Sequence, residues 1–346
     1  MVRRSRRRGA RTAQRMLRRA QNEASSLAEA FLTEPGKQFR VTYDNRCSPP
    51  TYGDLFNVLM LTRFLALNGV EVEFVLLDDG YRRSDWSALE QEGQDELVAE
   101  QVSLAQVLLP STVRFTKARR NSDFTEAGKD SDVFEVLAQF AASVTPYKLA
   151  PSLLDALYRD SRFEQRSSFL LEDVEHAPQQ SQTSGNSNPY VAWHIRKGLW
   201  SRDRDSSRAS ILQDFRELRE IYPGHSLMIF SSTPGIEFAL TVLEETGAAE
   251  EMSRLGLYLG GQLVPGFINA IPLVLQSDFY FQRLGGGIGM VPIFSNVPYL
   301  ILAGEGNYFY GRRGNRLVPW ARRDQTFVIN PRTAVSAPIR SCTVGL

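Results

Sequence analysis

The strongest constraint on the fold is a strand–helix–strand pattern near the start of the chain. Residues 38–43 form an apolar, strand-like segment, residues 53–69 have a wide apolar face at helical spacing, and residues 70–77 are again strand-like. Gly69 is a typical stop signal for the helix. An amphipathic helix between two apolar strands is a βαβ unit, and such units build parallel sheets. The chain is therefore expected to contain an α/β domain.

The same pattern returns after a polar segment. Residues 176–189 are rich in Gln, Ser and Asn, which is typical of a linker. We therefore expect an N-terminal α/β domain over 36–175 and a second over 190–335, preceded by an arm and helix (1–35) and followed by a tail (336–346). Further strands are predicted at 113–116, 191–195, 226–231, 255–259, 278–283 and 297–302, and further helices at 84–110, 132–143, 151–163, 209–222, 234–246, 267–276 and 288–295.

Composition limits the class of protein. The chain has 346 residues, 42% hydrophobic and 23% charged, as expected for two globular domains. No run approaches 18 apolar residues, so no transmembrane helix is expected. Two cysteines (Cys47 and Cys342) and three histidines argue against a disulfide framework and against a metal site built from Cys or His. A reducing, cytoplasmic location is therefore expected.

The first 19 residues carry a concentrated positive charge. They hold nine arginines and no acid, and the whole chain has a net charge of +1, so the remainder carries +1 − 9 = −8. Such a segment is interpreted as a disordered or frayed basic arm, as an arm attracted to an anionic membrane surface, or as an organellar transit peptide. Nucleic acid is not expected as a partner, because no aromatic residues interleave the arginines. Residues 20–33 predict a helix.

Three cations or potential cations come together where the strand at 191–195 ends. The sequence there is Tyr-Val-Ala-Trp-His-Ile-Arg-Lys-Gly, so His194, Arg196 and Lys197 emerge at the strand end. Ligands of open α/β sheets bind at the carboxyl ends of strands. Arg196 as a planar fork and Lys197 as a compact charge both suit a phosphate. The alternative is a strand end that carries two solvated cations.

A glycine-rich turn follows the strand at 278–283. Gly285, Gly286 and Gly287 let the backbone approach a ligand closely, and the helix behind them favours an anion. With Asp278, they are predicted to bind the phosphates or ribose of a nucleotide. The segment is not a P-loop, because no Gly-Lys-Ser/Thr follows. The alternative is an ordinary tight turn.

Hydroxyl groups follow the strand at 226–231. Ser231 and Ser232 can donate hydrogen bonds to a phosphate or a ribose. Alternatively, Ser232 or Thr233 only caps the helix that begins near Pro234. The two interpretations are compatible.

Asp54 is the candidate general base. It stands in Tyr-Gly-Asp-Leu, ahead of the apolar helix that follows the first strand. A carboxylate within hydrogen-bond reach of an acceptor hydroxyl can remove its proton. The alternative is that Asp54 caps the helix, where Asp is a preferred residue.

These segments resemble the glycosyltransferases of the GT-B class. His194-Ile-Arg196-Lys197-Gly198 resembles the first motif of the fucosyltransferase-like superfamily, and residues 278–302 are similar in order and spacing to its donor-binding element. Gly53-Asp54-Leu55 resembles the first βα loop of heptosyltransferase-like enzymes. The resemblance implies two Rossmann-like domains that face a central cleft, with Arg196 on the donor's pyrophosphate, His194 in the same site and Asp54 as the base.

The resemblance also implies a reaction. A sugar would pass from a nucleotide-diphosphate donor, GDP-linked among the options, to a glycan or lipid-linked acceptor in polysaccharide biosynthesis, with inversion and without a required metal or other cofactor. Two alternatives stay open. A polysaccharide pyruvyltransferase-like enzyme also needs Arg and His for an anionic donor. A catalytically degenerate GT-B scaffold, recruited by the Arg-rich arm, agrees with the absence of the motif acids after Gly198 and Ser231.

Overall fold

The chain divides into two compact units, Met1–Phe169 with Tyr308–Arg312, and Leu170–Asn307 with Arg313–Leu346. The structure is a computed structural model. Leu170 and Leu171 belong to the second unit. The structure describes residues 2–34, 36–45, 52–78, 91–119, 132–136, 150–164, 169–172, 189–197, 205–231, 233–245, 267–283, 287–303, 320, 325–329 and 339.

The first unit is a parallel sheet covered by helices. Its described elements are α1 (Val2–Thr33), β1 (Gln38–Asp44), α2 (Tyr52–Leu67), β2 (Val72–Leu77), α3 (Gln91–Leu108), β3 (Arg114–Ala118), β4 (Val133–Val136) and α4 (Ala150–Arg159). The strands pair in the order β3-β2-β1-β4, and every pair is parallel. The predicted βαβ unit is thus confirmed as β1, α2 and β2.

Helix α2 is apolar on almost every side because it is covered on almost every side. It packs against β1, β2, α3 and α4, and an unbroken run from Leu55 to Thr62 is buried. A helix that is hydrophobic all round is expected in such a position. Arg63 is held by two backbone carbonyls, those of Phe169 (3.0 Å) and Leu108 (3.0 Å), which satisfies the guanidinium among apolar neighbours.

The helix predicted at 132–143 is wrong in its described part, because Val133–Val136 is strand β4. It pairs with β1, from Gln38 opposite Val133 to Val41 opposite Val136. Arg40 of β1 links the two neighbouring strands, since its guanidinium bonds to Glu73 of β2 (2.8 Å) and to Glu135 of β4 (3.3 Å). Short apolar runs do not distinguish strand from helix by periodicity, and here the pairing partner decides.

Helix α1 begins much earlier than the sequence pattern indicated. The helix was expected over 20–33 and a disordered or frayed arm before it, but the backbone is helical from Val2 onward. In the second half of α1, Ala24, Leu27 and Ala28 are buried, whereas Leu32 is 57% exposed. Leu32 lies one step of about 100° beyond Phe31, which turns it to the solvent side.

The second unit is again a parallel sheet with helices. Its described elements are β5 (Tyr190–His194), α5 (Arg208–Ile221), β6 (Ser226–Phe230), α6 (Thr233–Glu244), α7 (Phe267–Leu275), β7 (Phe279–Arg283), a 3-10 turn (Gly287–Gly289), α8 (Met290–Ile293), β8 (Tyr299–Ala303) and β9 (Gln325–Ile329). The order is β6-β5-β7-β8-β9, all parallel. Sequence patterns missed β9, and the strand predicted at 255–259 lies outside the described residues.

Alternate residues of the second sheet build its main core. Trp193, Ile229 and Phe281 lie on one face and are buried against Phe215 of α5 and Ala239 of α6. Side chains alternate between faces along a strand, so His194 and Gln282 belong to the opposite face. Helix α5 is started by a capping box in which Ser207 and Ser210 bond each other's backbone N–H groups.

Each unit contains one reversal of strand order. Numbered along the chain within each unit, the described strands run 3-2-1-4 in the first and 2-1-3-4-5 in the second. Such open sheets bind ligands beyond the carboxyl ends of the strands at the reversal, which are β1 and β4 in the first unit and β5 and β7 in the second. The predicted α/β class with two parallel-sheet domains is confirmed.

A search of the described helices finds none with the length and apolar character needed to cross a bilayer.

Candidate functional site

His194 occupies the reversal point of the second sheet. It is the last residue of β5, and its register partners are Phe230 of β6 on one side and Gln282 of β7 on the other. The imidazole therefore stands at the carboxyl edge between the two strands where the order reverses. Sequence reasoning selected this residue, and the topology places it where a ligand of such a sheet is expected.

The environment keeps the His194 imidazole neutral. Burial lowers its pKa to about 3, and the positive charge of Arg196 lowers it further in the same direction. Its Nδ1 atom is buried and has no hydrogen-bond partner among the residues that the structure describes. A neutral imidazole has one donor and one acceptor nitrogen, so His194 can offer a hydrogen bond to a ligand at neutral pH.

The low pKa of His194 predicts an acid-sensitive fold. In the unfolded chain this histidine takes up a proton near pH 6.5, whereas in the folded chain it does so near pH 3. Its contribution to stability is therefore present above pH 6.5 and is lost as the pH falls toward 3. The slope is on the order of 1 kcal/mol per pH unit. We expect His194→Gln to flatten the unfolding free energy between pH 6 and 4 in urea titrations, by about that slope per unit.

An equal pH slope in the His194→Gln variant would show that other groups cause the acid sensitivity. His225→Gln is the matched control, since that histidine lies at the amino edge of the same sheet and pairs with Asp278 at 3.7 Å.

Arg196 follows on the same side of the strand as His194. Its backbone is fixed in both directions, because Ser206 N donates to Arg196 O (2.7 Å) and Arg196 N donates to Ser206 Oγ (3.2 Å). Ser206 directly precedes the capping box of α5, so the start of that helix positions the arginine. The structure therefore brings His194 and Arg196 together at one edge, as the sequence predicted.

Lys197 points to the other face, toward α6. Its Nζ lies 4.0 Å from the ring centroid of Phe238, a cation–π contact. The first turn of α6 approaches closely here, because a Cβ atom at Gly235 would lie 3.0 Å from Lys197 Cβ and would overlap Ser231 Oγ. Glycine is required at this contact. Lys197 and Ser231 thus form a second group, next to the amino end of a 12-residue helix.

Ser231 directly follows β6, and the surroundings of its hydroxyl group are unusual for a polar group at a strand end. Its Oγ is buried and has no hydrogen-bond partner among the described residues. A buried hydroxyl without a partner destabilises the folded state by on the order of 1–3 kcal/mol. Ser232, the other predicted hydroxyl, lies outside the described residues. Since α6 begins at Thr233, Ser232 stands at the position before the helix, where caps occur.

Gln282 is a polar residue of the site that sequence reasoning did not select. It is 1% exposed, pairs in register with His194, and accepts a hydrogen bond at Oε1 from the Tyr280 hydroxyl (2.5 Å). The 3-10 turn lies directly over it, because a Cβ atom at Gly289 would overlap Gln282 Oε1. Gly287 starts this turn, while Gly285 and Gly286 lie outside the described residues. The sequence did offer one signal for Gln282, which is a glutamine within a strand of aromatic residues.

A buried ion pair supports the end of β7. Arg283 is 1% exposed, and its Nε lies 3.1 Å from each carboxylate oxygen of Asp214 on α5, with a further bond from Nη2 to Oδ1. Burial raises the pKa of Asp214 to about 6, against the lowering effect of Arg283, so the carboxylate is ionised at neutral pH. The pair fixes the strand from which the glycine-rich segment continues.

Asp278 does not join this group, although the sequence assigned it there. It precedes β7, so it lies at the amino edge, and its Oδ2 accepts a hydrogen bond from Tyr190 N at 3.1 Å. The five residues of β7 separate it from the carboxyl edge by about 15 Å. The prediction grouped Asp278 with the glycine-rich turn because the two flank one strand, although they flank opposite ends of it.

In the first unit, Asp54 lies in the first turn of α2, beyond the carboxyl end of β1. The helix begins at Tyr52, so Asp54 is its third residue and not the cap that precedes it. The same strand end carries Asn45, whose amide exchanges hydrogen bonds with that of Gln101 (2.9 and 3.2 Å). This buried pair fixes the residue that follows β1 and gives Asn45 a structural role.

Within the described ranges, no group of three or more His, Cys, Asp or Glu side chains is placed to hold a metal ion.

No protein-family model and no curated protein matches the chain. Solved structures show distant similarity. A glycosyl transferase family 9 protein from Veillonella parvula is 14% identical over 85% of each chain, with a TM-score of 0.43. A putative UDP-N-acetylglucosamine 2-epimerase from Listeria monocytogenes is 11% identical over 77% of this chain and 79% of its own, with a TM-score of 0.35. The UDP-GlcNAc 2-epimerase of Methanocaldococcus jannaschii is 11% identical over 77% and 83%, with a TM-score of 0.30.

Proposed function

We propose that this chain is a glycosyltransferase that binds a nucleotide-diphosphate sugar at the carboxyl edge of the second sheet. The observation that carries the proposal is the position of His194 and Arg196. His194 ends the strand at which the order of the sheet reverses, and Arg196 lies two residues beyond it, where open α/β sheets bind their ligands. A cation and a neutral imidazole on one face of that edge suit a diphosphate.

In this proposal Arg196 binds the β-phosphate. Its guanidinium offers several N–H donors in a plane, which matches two phosphate oxygens at once. Its backbone is already fixed through Ser206, so little ordering of the main chain is needed on binding. The positive charge also stabilises the nucleoside diphosphate as it leaves.

Lys197 and Ser231 are proposed to form the second half of the phosphate site. Both lie against the first turn of α6, and that helix is long enough to present a positive end to an anion. The Ser231 hydroxyl would gain the partner that the described residues do not provide. Ser232, Gly285, Gly286 and Gly287 remain predicted contacts of the phosphates and ribose.

His194 is proposed to bind as a neutral hydrogen-bonding group. With its pKa lowered to about 3 by burial, it does not supply a positive charge at neutral pH. It would orient a phosphate or ribose oxygen, while Arg196 supplies the charge. Gln282, its register partner, would hold the neighbouring strand and the 3-10 turn in place through Tyr280 and Gly289.

Asp54 is proposed to activate the acceptor. Its carboxylate would take the proton from an acceptor hydroxyl, whose oxygen then attacks the anomeric carbon as the nucleoside diphosphate leaves from the opposite side. This step inverts the anomeric configuration. The His-x-Arg pattern at 194–196 supports a fucosyltransferase-like enzyme, with a GDP-linked sugar among the donors and a glycan or lipid-linked molecule as acceptor.

Arg196→Ala is expected to weaken the binding of the preferred nucleoside diphosphate by about 1.5–3 kcal/mol, because one charge-assisted contact is lost. Isothermal titration calorimetry measures this as a rise in Kd of roughly 10- to 150-fold. The melting temperature should stay close to that of the native protein, because the substitution keeps the backbone hydrogen bonds between position 196 and Ser206.

Arg219→Ala is the matched control for charge. Arg219 lies in the last turn of α5 and donates to His225 O (2.9 Å), so it belongs to the amino edge of the same sheet. We expect its substitution to leave the Kd within about twofold. Equal weakening by both substitutions would mean that only net charge matters and would remove Arg196 from the site.

A further inference from the structure

One face of α1 is turned to solvent along the part of the helix whose side chains are described. Ala20, Ala24, Leu27 and Ala28 are buried, and Phe31 stacks on Phe163 beyond α4 (6.1 Å between ring centroids). At about 100° per residue, the exposed positions between these residues lie together on the opposite arc of the helix. They are Arg18, Arg19, Gln21, Asn22, Ser25, Ser26 and Glu29.

The arginine positions in the first half of α1 project onto the same arc of the helix. The backbone is helical without interruption from Val2 to Thr33, so positions can be projected along one axis. Eight of the nine arginines then fall within an arc of about 160° that coincides with the exposed arc of residues 18–29. These eight are Arg3, Arg4, Arg7, Arg8, Arg11, Arg15, Arg18 and Arg19, and only Arg6 falls outside.

Apart from Arg6, the opposite arc of the same half is small or apolar. It carries Val2, Ser5, Gly9, Ala10, Thr12, Ala13, Met16 and Leu17, in line with the buried positions that begin at Ala20. The sequence from 1 to 22 contains no acid that would neutralise the arginines. Because the second half of α1 packs on α4, the arginine positions are held at a fixed orientation relative to the first unit.

We propose that this arginine face docks the first unit on an anionic membrane surface. Eight cations spaced over about 24 Å of helix match a plane of lipid phosphates. The remainder of the chain has a net charge of +1 − 9 = −8, so its overall charge does not favour an anionic surface. Nucleic acid fits less well, because the face has no aromatic residue on which a base can stack. The docking does not depend on the proposed transferase activity.

The test is cosedimentation of the full chain with vesicles of phosphatidylcholine, alone or with about 30% phosphatidylglycerol. We expect binding only to the anionic vesicles, and its loss near 0.5 M salt, where the Debye length falls to about 4 Å. Replacing Arg3, Arg4, Arg7 and Arg8 together by Gln should lower the partition coefficient by roughly a hundredfold or more. The same four positions changed to Lys should stay within a few fold of the native protein.

A second variant distinguishes an arginine face that is held at a fixed orientation from a basic arm without a fixed orientation. Inserting two alanines between Leu17 and Arg18 keeps every charge but rotates the earlier arginines by about 200° relative to the first unit. The proposal predicts at least a tenfold loss of vesicle binding, with an unchanged melting transition. Native-like binding by this variant would overturn the fixed face, and tighter binding to duplex DNA than to anionic vesicles at equal salt would overturn the partner.

Discussion

Asp54→Asn is expected to lower the rate of sugar transfer at saturating donor and acceptor by about 10²–10⁴-fold, the usual contribution of a positioned general base. Asparagine keeps the size and the hydrogen-bonding capacity of the side chain at the start of α2, but it cannot take a proton from the acceptor. The donor affinity should change little, because the phosphates are assigned to the second unit. The measurement is steady-state turnover by release of nucleoside diphosphate.

The matched substitution is Asp54→Ala, which also removes a favourable carboxylate from the first turn of a helix. It should lower the melting temperature slightly, by an amount equivalent to about 0.3–1 kcal/mol, and the turnover as much as Asn does. A fully active Asn variant would remove Asp54 as the base. Asp78 and, outside the described residues, Asp79 would be the next candidates, although Asp78 already pairs with Lys117 (3.1 Å) and Arg119 (3.5 Å).

Arg283→Ala is expected to destabilise the second unit by about 3–5 kcal/mol, because it leaves the Asp214 carboxylate buried without its charge partner. Asp214 is 3% exposed and cannot reach water without a rearrangement of α5. Urea unfolding followed by the fluorescence of Trp193, which lies in the same core, reports the change.

The double variant Arg283→Met with Asp214→Leu is the control. Replacing both partners of a buried ion pair by apolar residues of similar volume is often neutral, so we expect most of the lost stability to return. A loss below about 1 kcal/mol in the single variant would show that the pair is not closed as described.

Much of the fold follows from local sequence patterns. The strands and helices from β1 to β2 and from β5 to β8 have strong apolar periodicity, and they lie within a few residues of the predicted bounds. Strand β4 was predicted as the start of a helix and β9 was not predicted, because short apolar runs do not distinguish strand from helix by periodicity and the pairing with a neighbouring strand decides. Helix α1 was cut short because arginines in a row suggest disorder, although arginine is a good helix former.

The site was predictable in part for the same reason. His194, Arg196 and Asp54 follow strands that lie at the reversal points, and a strand end with polar residues is visible in the sequence. The sequence does not show which arginine near a strand end is buried in an ion pair. Arg196 and Arg283 both end apolar strands, but Arg283 is buried by an aspartate 69 residues away on another element. Asp278 was assigned to the wrong edge, although its position before a strand of a parallel sheet already places it at the amino edge.

Binding of nucleoside diphosphates to the full native chain tests the central claim most directly. Calorimetric titrations with ADP, GDP, UDP and phosphoenolpyruvate are compared at one salt concentration, with the Arg196→Ala variant in parallel. The account predicts saturable one-to-one binding of at least one nucleoside diphosphate, a raised melting temperature through mass action, and clear weakening in the variant. Binding of phosphoenolpyruvate alone, or of none of the four, would contradict it.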